Sequence, residues 1–392
     1  MNTLLERISH ASILKSCLLL MVLLVGFTAC REEEEIIAPT KSGITDPRTD
    51  TNIKGFYLLN EGNMGSNKAT IDFFNYETGC YMKNIYADRN PGVVKELGDV
   101  GNDIQIYGDK LYAVINCSHF VEVMQAKNAK HITQISIPNC RYIVFKDEYA
   151  YVSSYAGPVQ IDPNARLGYV AKVDTRTLEV VDTCIVGYQP EEMVVVGNKL
   201  YVANSGGYRV PNYDRTVSVI DLTTFKEVKK IDVAINLHRL ETDNYGNIYV
   251  SSRGDYYTTP SKTFVIDTST DTVTDELDIA NSEMTLSGDS LFIYSTEWSY
   301  ETNANTISYA IYNVKKKELT TRNFIKDGTE KQIQIPYGIA VNRETEEFFV
   351  TDAGNYVTPG KLYCFSLDGI LKWSVVTGDI PAHFAFTTIP FE

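Results

Sequence analysis

The chain has 392 residues, with 36 Lys and Arg against 50 Asp and Glu, and its formal net charge of −14 excludes a nucleic-acid partner, which would need a basic face. Hydrophobic residues make up 44% of it, enough for a large core, and tyrosine leads the aromatics with 26 Tyr against 16 Phe and 2 Trp. Cys80, Cys117, Cys140, Cys184 and Cys364 form no C-x-x-C pair, so the sequence implies neither a zinc site nor a disulfide framework, and these cysteines read as small hydrophobes.

Residues 1–29 read as a secretory signal. Arg7 and Lys15 supply positive charge, and an apolar run from Cys17 to Phe27 follows, too short to be a permanent membrane span. It ends in Phe27-Thr28-Ala29-Cys30, which resembles a lipobox, so Cys30 is expected to carry the lipid of a bacterial lipoprotein. Arg31 and Glu32, Glu33, Glu34 and Glu35 come next, an acidic run resembling the export signal of surface lipoproteins in Bacteroidota, and also a self-repelling tether. Up to about Asn52 the chain is polar, has no apolar period and is expected to be a disordered stalk. Residues 30–52 are thus assigned to a lipidated acidic tether and 53–392 to the folded domain. No later segment is apolar for long enough to cross a bilayer, so the membrane is met only through the lipid.

From Gly55 onward the chain repeats. Gly197-Asn-Lys-Leu-Tyr201-Val-Ala-Asn204 is echoed at Gly108-Asp-Lys-Leu-Tyr112, at Asp147-Glu-Tyr-Ala-Tyr151, at Gly246-Asn-Ile-Tyr249 and at Gly288-Asp-Ser-Leu291. Weaker copies stand at Gly55-Phe-Tyr57 and Glu347-Phe-Phe349. The seven copies are spaced by roughly 50 residues, a propeller blade's length. Each is a polar turn followed by an alternating strand. A second strand ends in Asp with Thr three residues on, as at Asp174/Thr177, Asp221/Thr224 and Asp267/Thr270, a pattern for a tight turn. A third strand follows, and then an apolar strand often opened by Pro, as at Pro190, Pro336 and Pro381. The expected fold is all-β, a seven-bladed β-propeller of four-stranded antiparallel blades. The first copy lacks its innermost strand, and residues 381–386 have no blade of their own, so the C-terminal strand is expected to join the first blade.

The loops after the L-Y-V-type strands share one face with the loops that enter the innermost strands. The first set carries Tyr155, Tyr208, Arg209, Tyr256, Tyr257, Trp298, Tyr300 and Tyr356, and the second adds His238, Tyr337 and His383. Asp103, Arg141, Tyr142, Tyr188 and Arg239 belong to that second set too. A ring of aromatics over amides, hydroxyls and arginines suits a large, flat, amide-bearing ligand or a partner protein. Some of these tyrosines can equally pack between blades.

Signals of catalysis are weak. H-E-x-x-H, G-x-S-x-G and G-x-x-x-x-G-K are all missing, so no catalytic residue, metal or cofactor is assigned. His119, His238 and His383 on the loop face keep a metal-dependent hydrolase or lactonase conceivable. Asp243-Asn-Tyr-Gly-Asn247 reads as a turn rather than a calcium loop.

The repeat G-x-x-L-Y-V-A-N … V-x-V-I-D-x-x-T resembles the YncE-like propeller family over nearly all of residues 53–392. With the lipobox, acidic run and tyrosine-rich face, it resembles the BtuG-type surface lipoproteins of Bacteroidota. That resemblance implies an outer-membrane, cell-surface location, capture of cobalamin (vitamin B12) or a related corrinoid, and delivery to a TonB-dependent transporter of the BtuB type. A surface propeller for a glycan or partner protein is the alternative.

Overall fold

A computed structural model describes residues 39–93, 96–299 and 303–392. The signal segment, Cys30 and the glutamate run lie outside the described residues. Six four-stranded sheets and one five-stranded sheet form seven blades, and within each the neighbouring strands are antiparallel. The blades are numbered here in chain order, and blade 1 opens with Gly55–Asn60.

Burial follows position in the blade. The second strands, such as Lys199–Asn204 and Asn247–Ser252, are buried almost throughout because another blade packs on each face. The outer strands, such as Glu179–Ile185, are exposed at nearly every position. The tyrosine of the repeat is structural. Tyr57, Tyr112, Tyr151, Tyr201 and Tyr249 are all among the largest fully buried side chains. Two of them rivet adjacent blades: Tyr57 Oη donates to Ala126 O at 2.7 Å, and Tyr201 Oη to Asp271 Oδ1 at 2.6 Å. The expected Asp–Thr turns form, with Thr177 N–H and Thr224 N–H each 2.9 Å from Asp174 and Asp221 Oδ1. All five described cysteines are thiols, three of them buried.

The ring closes as expected. Pro381–Thr387 pairs with Gly55–Asn60 as the innermost strand of blade 1, with Phe56 opposite Phe386 and Tyr57 opposite Ala385. That strand also packs against the inner strands of blades 2 and 7, Gly101–Tyr107 and Pro336–Asn342. The seam is aromatic. Phe56 lies 4.9 Å from Phe349 of blade 7, 5.4 Å from Phe74, and 5.7 and 5.6 Å from Phe384 and Phe386, ring centre to ring centre.

One boundary differs from the sequence reading. The stalk does not run on to Asn52, since Thr40–Gly43 pairs antiparallel with Cys80–Lys83 as a fifth, outermost strand of blade 1. Arg48 N–H donates to Tyr76 O at 2.7 Å, Thr51 is buried, and Ile44 and Ile53 pack on the aromatic seam. The strand is held by backbone bonds to a sheet edge and all four of its residues are exposed, so it has no apolar pattern to betray it.

Replacing Phe56 by Ala should cost about 3–5 kcal/mol of stability. Deleting residues 381–392 should prevent soluble folding or lower the melting temperature far more than that substitution does. An unchanged melting curve for the truncated protein, followed by circular dichroism, would contradict this closure.

Candidate functional site

Where the inner strand begins, its pairing with the second strand slips in every blade but the sixth. In blades 3, 4, 5 and 7 two residues oppose one: 141 and 142 face Ser153, 191 and 192 face Ala203, 238 and 239 face Ser251, and 337 and 338 face Thr351. These are β-bulges. In three of them a hydroxyl of the second strand takes the stranded N–H, with Tyr142 N 3.1 Å from Ser153 Oγ, Arg239 N 2.8 Å from Ser251 Oγ, and Gly338 N 2.7 Å from Thr351 Oγ1. A regular strand sends consecutive side chains to opposite sides. Here Arg141 with Tyr142, and His238 with Arg239, face the same cavity.

That cavity has a volume of about 1020 Å³ and opens on the loop face. Tyr155, Tyr208, His238, Tyr256, Tyr257, Trp298, Tyr337 and Tyr356 of the expected set line it, joined by Glu61, Arg141, Tyr142, Arg239, Arg253, Glu283 and Tyr294. Arg209 is not in the lining. Its guanidinium stacks 3.6 Å from the Tyr188 ring centre and ties down its own loop through Asn212 O. His383 stands behind the lining, with Nε2 3.1 Å from Glu61 Oε1. Tyr300 lies outside the described residues.

Local chemistry explains the rim. In blades 5 and 7 the loops read Gly254-Asp255-Tyr256 and Gly354-Asn355-Tyr356. Asp255 Oδ1 accepts from the N–H of Tyr257, Thr258 and Thr259, and Asn355 Oδ1 from those of Val357 and Thr358. This winds both tyrosines into the left-handed region, at φ 64° each. Gly254 is obligatory, because it has φ +63° and a Cβ there would stand 1.9 Å from Thr259 O. Trp298 was expected in a loop but lies on a strand. Ser290–Ser299 and Ala304–Asn313 pair from Ser290 opposite Asn313 to Ser299 opposite Ala304, a hairpin longer than most of the other blades'. It carries Trp298 opposite Asn305, both lining the cavity, with Trp298 46% exposed.

The walls differ in charge. On the side of blades 3 to 5, Glu191 is a buried carboxylate. Arg141 Nε and Nη2 each lie 3.0 Å from its Oε2, Arg253 Nη1 lies 3.7 Å from its Oε1, and Tyr155 Oη donates to that same Oε1. Burial alone would raise its pKa, but Arg141 and Arg253 hold it below the ordinary carboxylate value. Arg239 pairs with Glu283 and lies 3.7 Å from Glu192. Burial pushes Glu192 and Glu283 upward, helped by the charge of Glu283 at Glu192 and by that of Glu61 at Glu283. His238 is held far below its ordinary value by burial and then by Arg253, Arg239 and Arg141, so it is neutral at pH 7, with Nε2 3.0 Å from Tyr142 Oη. On the opposite wall Tyr337 Oη donates to Glu61 Oε2 at 2.8 Å, and Tyr356 stands edge-on to Tyr337 at 5.9 Å. Among the described residues no group of three or more His, Cys, Asp or Glu is placed to hold a metal ion.

Residues 54–367 match the family described as "Domain of unknown function (DUF5074)". The chain belongs to that family. No curated protein matches it in sequence. Among solved structures, a quinonprotein alcohol dehydrogenase-like protein of Bacteroides thetaiotaomicron superposes with a TM-score of 0.59 at 14% identity, over 86% of this chain and 79% of the other. Hydrazine synthase of Kuenenia stuttgartiensis gives 0.57 at 15% identity, over 68% and 77%. The computationally designed protein Ika8 gives 0.52 at 11% identity, over 87% and 90%. At these identities the likeness concerns the fold alone. The DUF5074 chain and these structures share the propeller, and the cavity's chemistry is read from its own residues.

Glu191 was not among the expected residues. The run Pro190-Glu-Glu-Met193 looks like a polar strand opening, and only the bulge turns Glu191 inward. Glu191→Gln should cost about 3–5 kcal/mol, since Arg141 and Arg253 lose their charge partner in a buried setting. Its lowered folded pKa means that the wild-type advantage is present above the unfolded carboxylate value and is lost as pH falls through the folded one. Denaturant unfolding of both proteins at several pH values checks this. Glu241 should behave oppositely. Burial raises it to about 7, and its Oε1 accepts from Leu286 N–H of the next blade at 2.7 Å. Between its unfolded pKa and about 7 the unfolded chain ionises while the folded one holds its proton, so the wild type loses stability as pH rises. Glu241→Gln should therefore match the wild type at low pH and exceed it by about 1–3 kcal/mol at pH 8.

Proposed function

We propose that this protein is a lipid-anchored, outward-facing capture protein of the outer membrane that binds cobalamin or a related corrinoid in the loop-face cavity and passes it to a TonB-dependent transporter. The observation that carries the reading is the cavity itself. Its volume of about 1020 Å³ is at the upper end of the range for small-molecule sites, which suits a large ligand. Among the described residues eight Tyr and one Trp line it, interleaved with Asn, Ser, Thr and Arg. A corrin is broad and edged with amides, so it offers carbonyl and N–H partners at its rim and apolar faces between them. The lipobox at Cys30 and the glutamate run support the address.

The ligand's metal is not expected to meet a histidine. His238 Nε2 faces Tyr142 Oη, and Nδ1 is buried without a partner, while His383 Nε2 is turned to Glu61. Binding should thus change the visible spectrum of the corrin little, which suits a carrier that has to release its cargo. Catalysis is not part of the reading. The exposed Trp298 and Tyr257 also make a platform of the kind that glycans stack on.

Calorimetry with cyanocobalamin decides between these ligands. Heat at micromolar protein is expected, and Trp298→Ala should weaken binding by about 2 kcal/mol if it is a hot spot, against less than about 1 kcal/mol for the rim residue Tyr257. Lack of heat would turn the assignment toward a glycan or protein. The address has its own check, since protease applied to intact cells should remove the protein. Survival until lysis would place it behind the membrane.

A further inference from the structure

On the wall formed by blades 3 to 5 there are more guanidinium donors than acceptors. Arg141 spends Nε and Nη2 on Glu191, and its Nη1 makes no hydrogen bond among the described residues. The Arg253 side chain makes none at all among them. Its charge partner, Glu191 Oε1, is 3.7 Å away and already accepts from Tyr155 Oη. Some arginines in this protein do bury a nitrogen without a partner, namely Arg89, Arg209 and Arg239, each at Nε. No nitrogen of Arg141 or Arg253 is in that state, so their unused donors are open to the cavity that both residues line.

The charges point the same way. One carboxylate, Glu191, serves two arginines, and Glu192 and Glu283 are engaged by Arg239. Within the group formed by Arg141, Arg253 and Glu191, two guanidiniums thus face one carboxylate and one positive charge is left over. The Arg141 guanidinium is also fixed in place, and that of Arg253 stands against the same carboxylate. Glu191 is only 1% exposed and holds Arg141 from below, and the Tyr155 ring lies 4.9 Å from the Arg141 guanidinium carbon. Arg253 retains 28% exposure. Two guanidiniums that converge on one carboxylate in a partly water-excluded pocket, one held by it and the other with its donors unspent, have the chemistry that recognises an oxyanion by forked, charge-assisted hydrogen bonds.

We infer that Arg141 and Arg253 form an oxyanion subsite that seats a phosphoryl or carboxylate group of the ligand, with Tyr155, Tyr208 and Tyr256 around the group that bears it. The ligand is thereby oriented, its anionic part toward blades 3 to 5 and its amide or hydroxyl donors toward Glu61. This deepens the capture reading and rests on the same cavity being the ligand site.

The test uses the full folded protein with cyanocobalamin, which carries a phosphodiester, and with cobinamide, which lacks it. Arg253→Gln should weaken cyanocobalamin about tenfold or more while leaving cobinamide within about twofold. Arg253→Lys keeps the charge without the fork and should fall between, and a melting curve for each variant separates loss of binding from loss of fold. Equal weakening of both corrinoids, or no weakening of either, overturns the subsite and leaves the capture reading in place. If the wild type binds neither corrinoid, the vitamin assignment fails by itself, and titration with phenyl phosphate and with benzoate decides the subsite. Binding of one or both that is lost in Arg253→Gln supports it and tells phosphoryl from carboxylate. No binding, or binding that survives the substitution, overturns it.

Discussion

Seven inner strands have to meet around one axis, and almost everything distinctive about this protein follows from how they begin. A strand entering flat would send alternate side chains toward the axis and away from it. The bulges at residues 141–142, 191–192, 238–239 and 337–338 break that alternation at the mouth of the ring. At 141–142 and 238–239 they bring both neighbours to one side, and at three of the four a hydroxyl on the second strand absorbs the N–H that the bulge strands. The repeat thus supplies both the scaffold and the device that arms it. Ser153, Ser251 and Thr351 look like ordinary small strand residues and are in effect the hinges of the site.

Electrostatics then divides the cavity into unlike halves. Glu191 keeps its charge in spite of burial because two arginines converge on it, whereas Glu192 and Glu283 compete for one. The neutrality of His238 comes from its burial and then from the same crowd of arginines. These states are properties of the set and not of single residues. Changing one member moves the protonation of the others, so single substitutions here will not add.

Much of this was legible in the sequence. The repeated G-x-x-L-Y-V strand, the Asp–Thr turns and the unpaired terminal strand specify the ring and its closure, because each is a local signal with a two-residue period or a turn chemistry. The loop aromatics that line the cavity were legible too, by their distance from the repeat. Three things were not. A bulge leaves the apolar pattern on either side of it intact, so nothing in that pattern marks Glu191 as turned inward. Thr40–Gly43 joins a sheet edge through its backbone, which no side-chain pattern records. Trp298 sits where a loop is due, and only the pairing of its whole hairpin shows the strand running on.

The added edge strand also sets a direction. Thr40 pairs with Lys83 and Gly43 with Cys80, so the chain enters blade 1 at the end where the cavity opens and runs toward the other. Thr40 therefore joins the ring at its outer circumference and from the loop-face side, and the edge that Cys80–Lys83 would otherwise leave open is covered from the start of the folded chain.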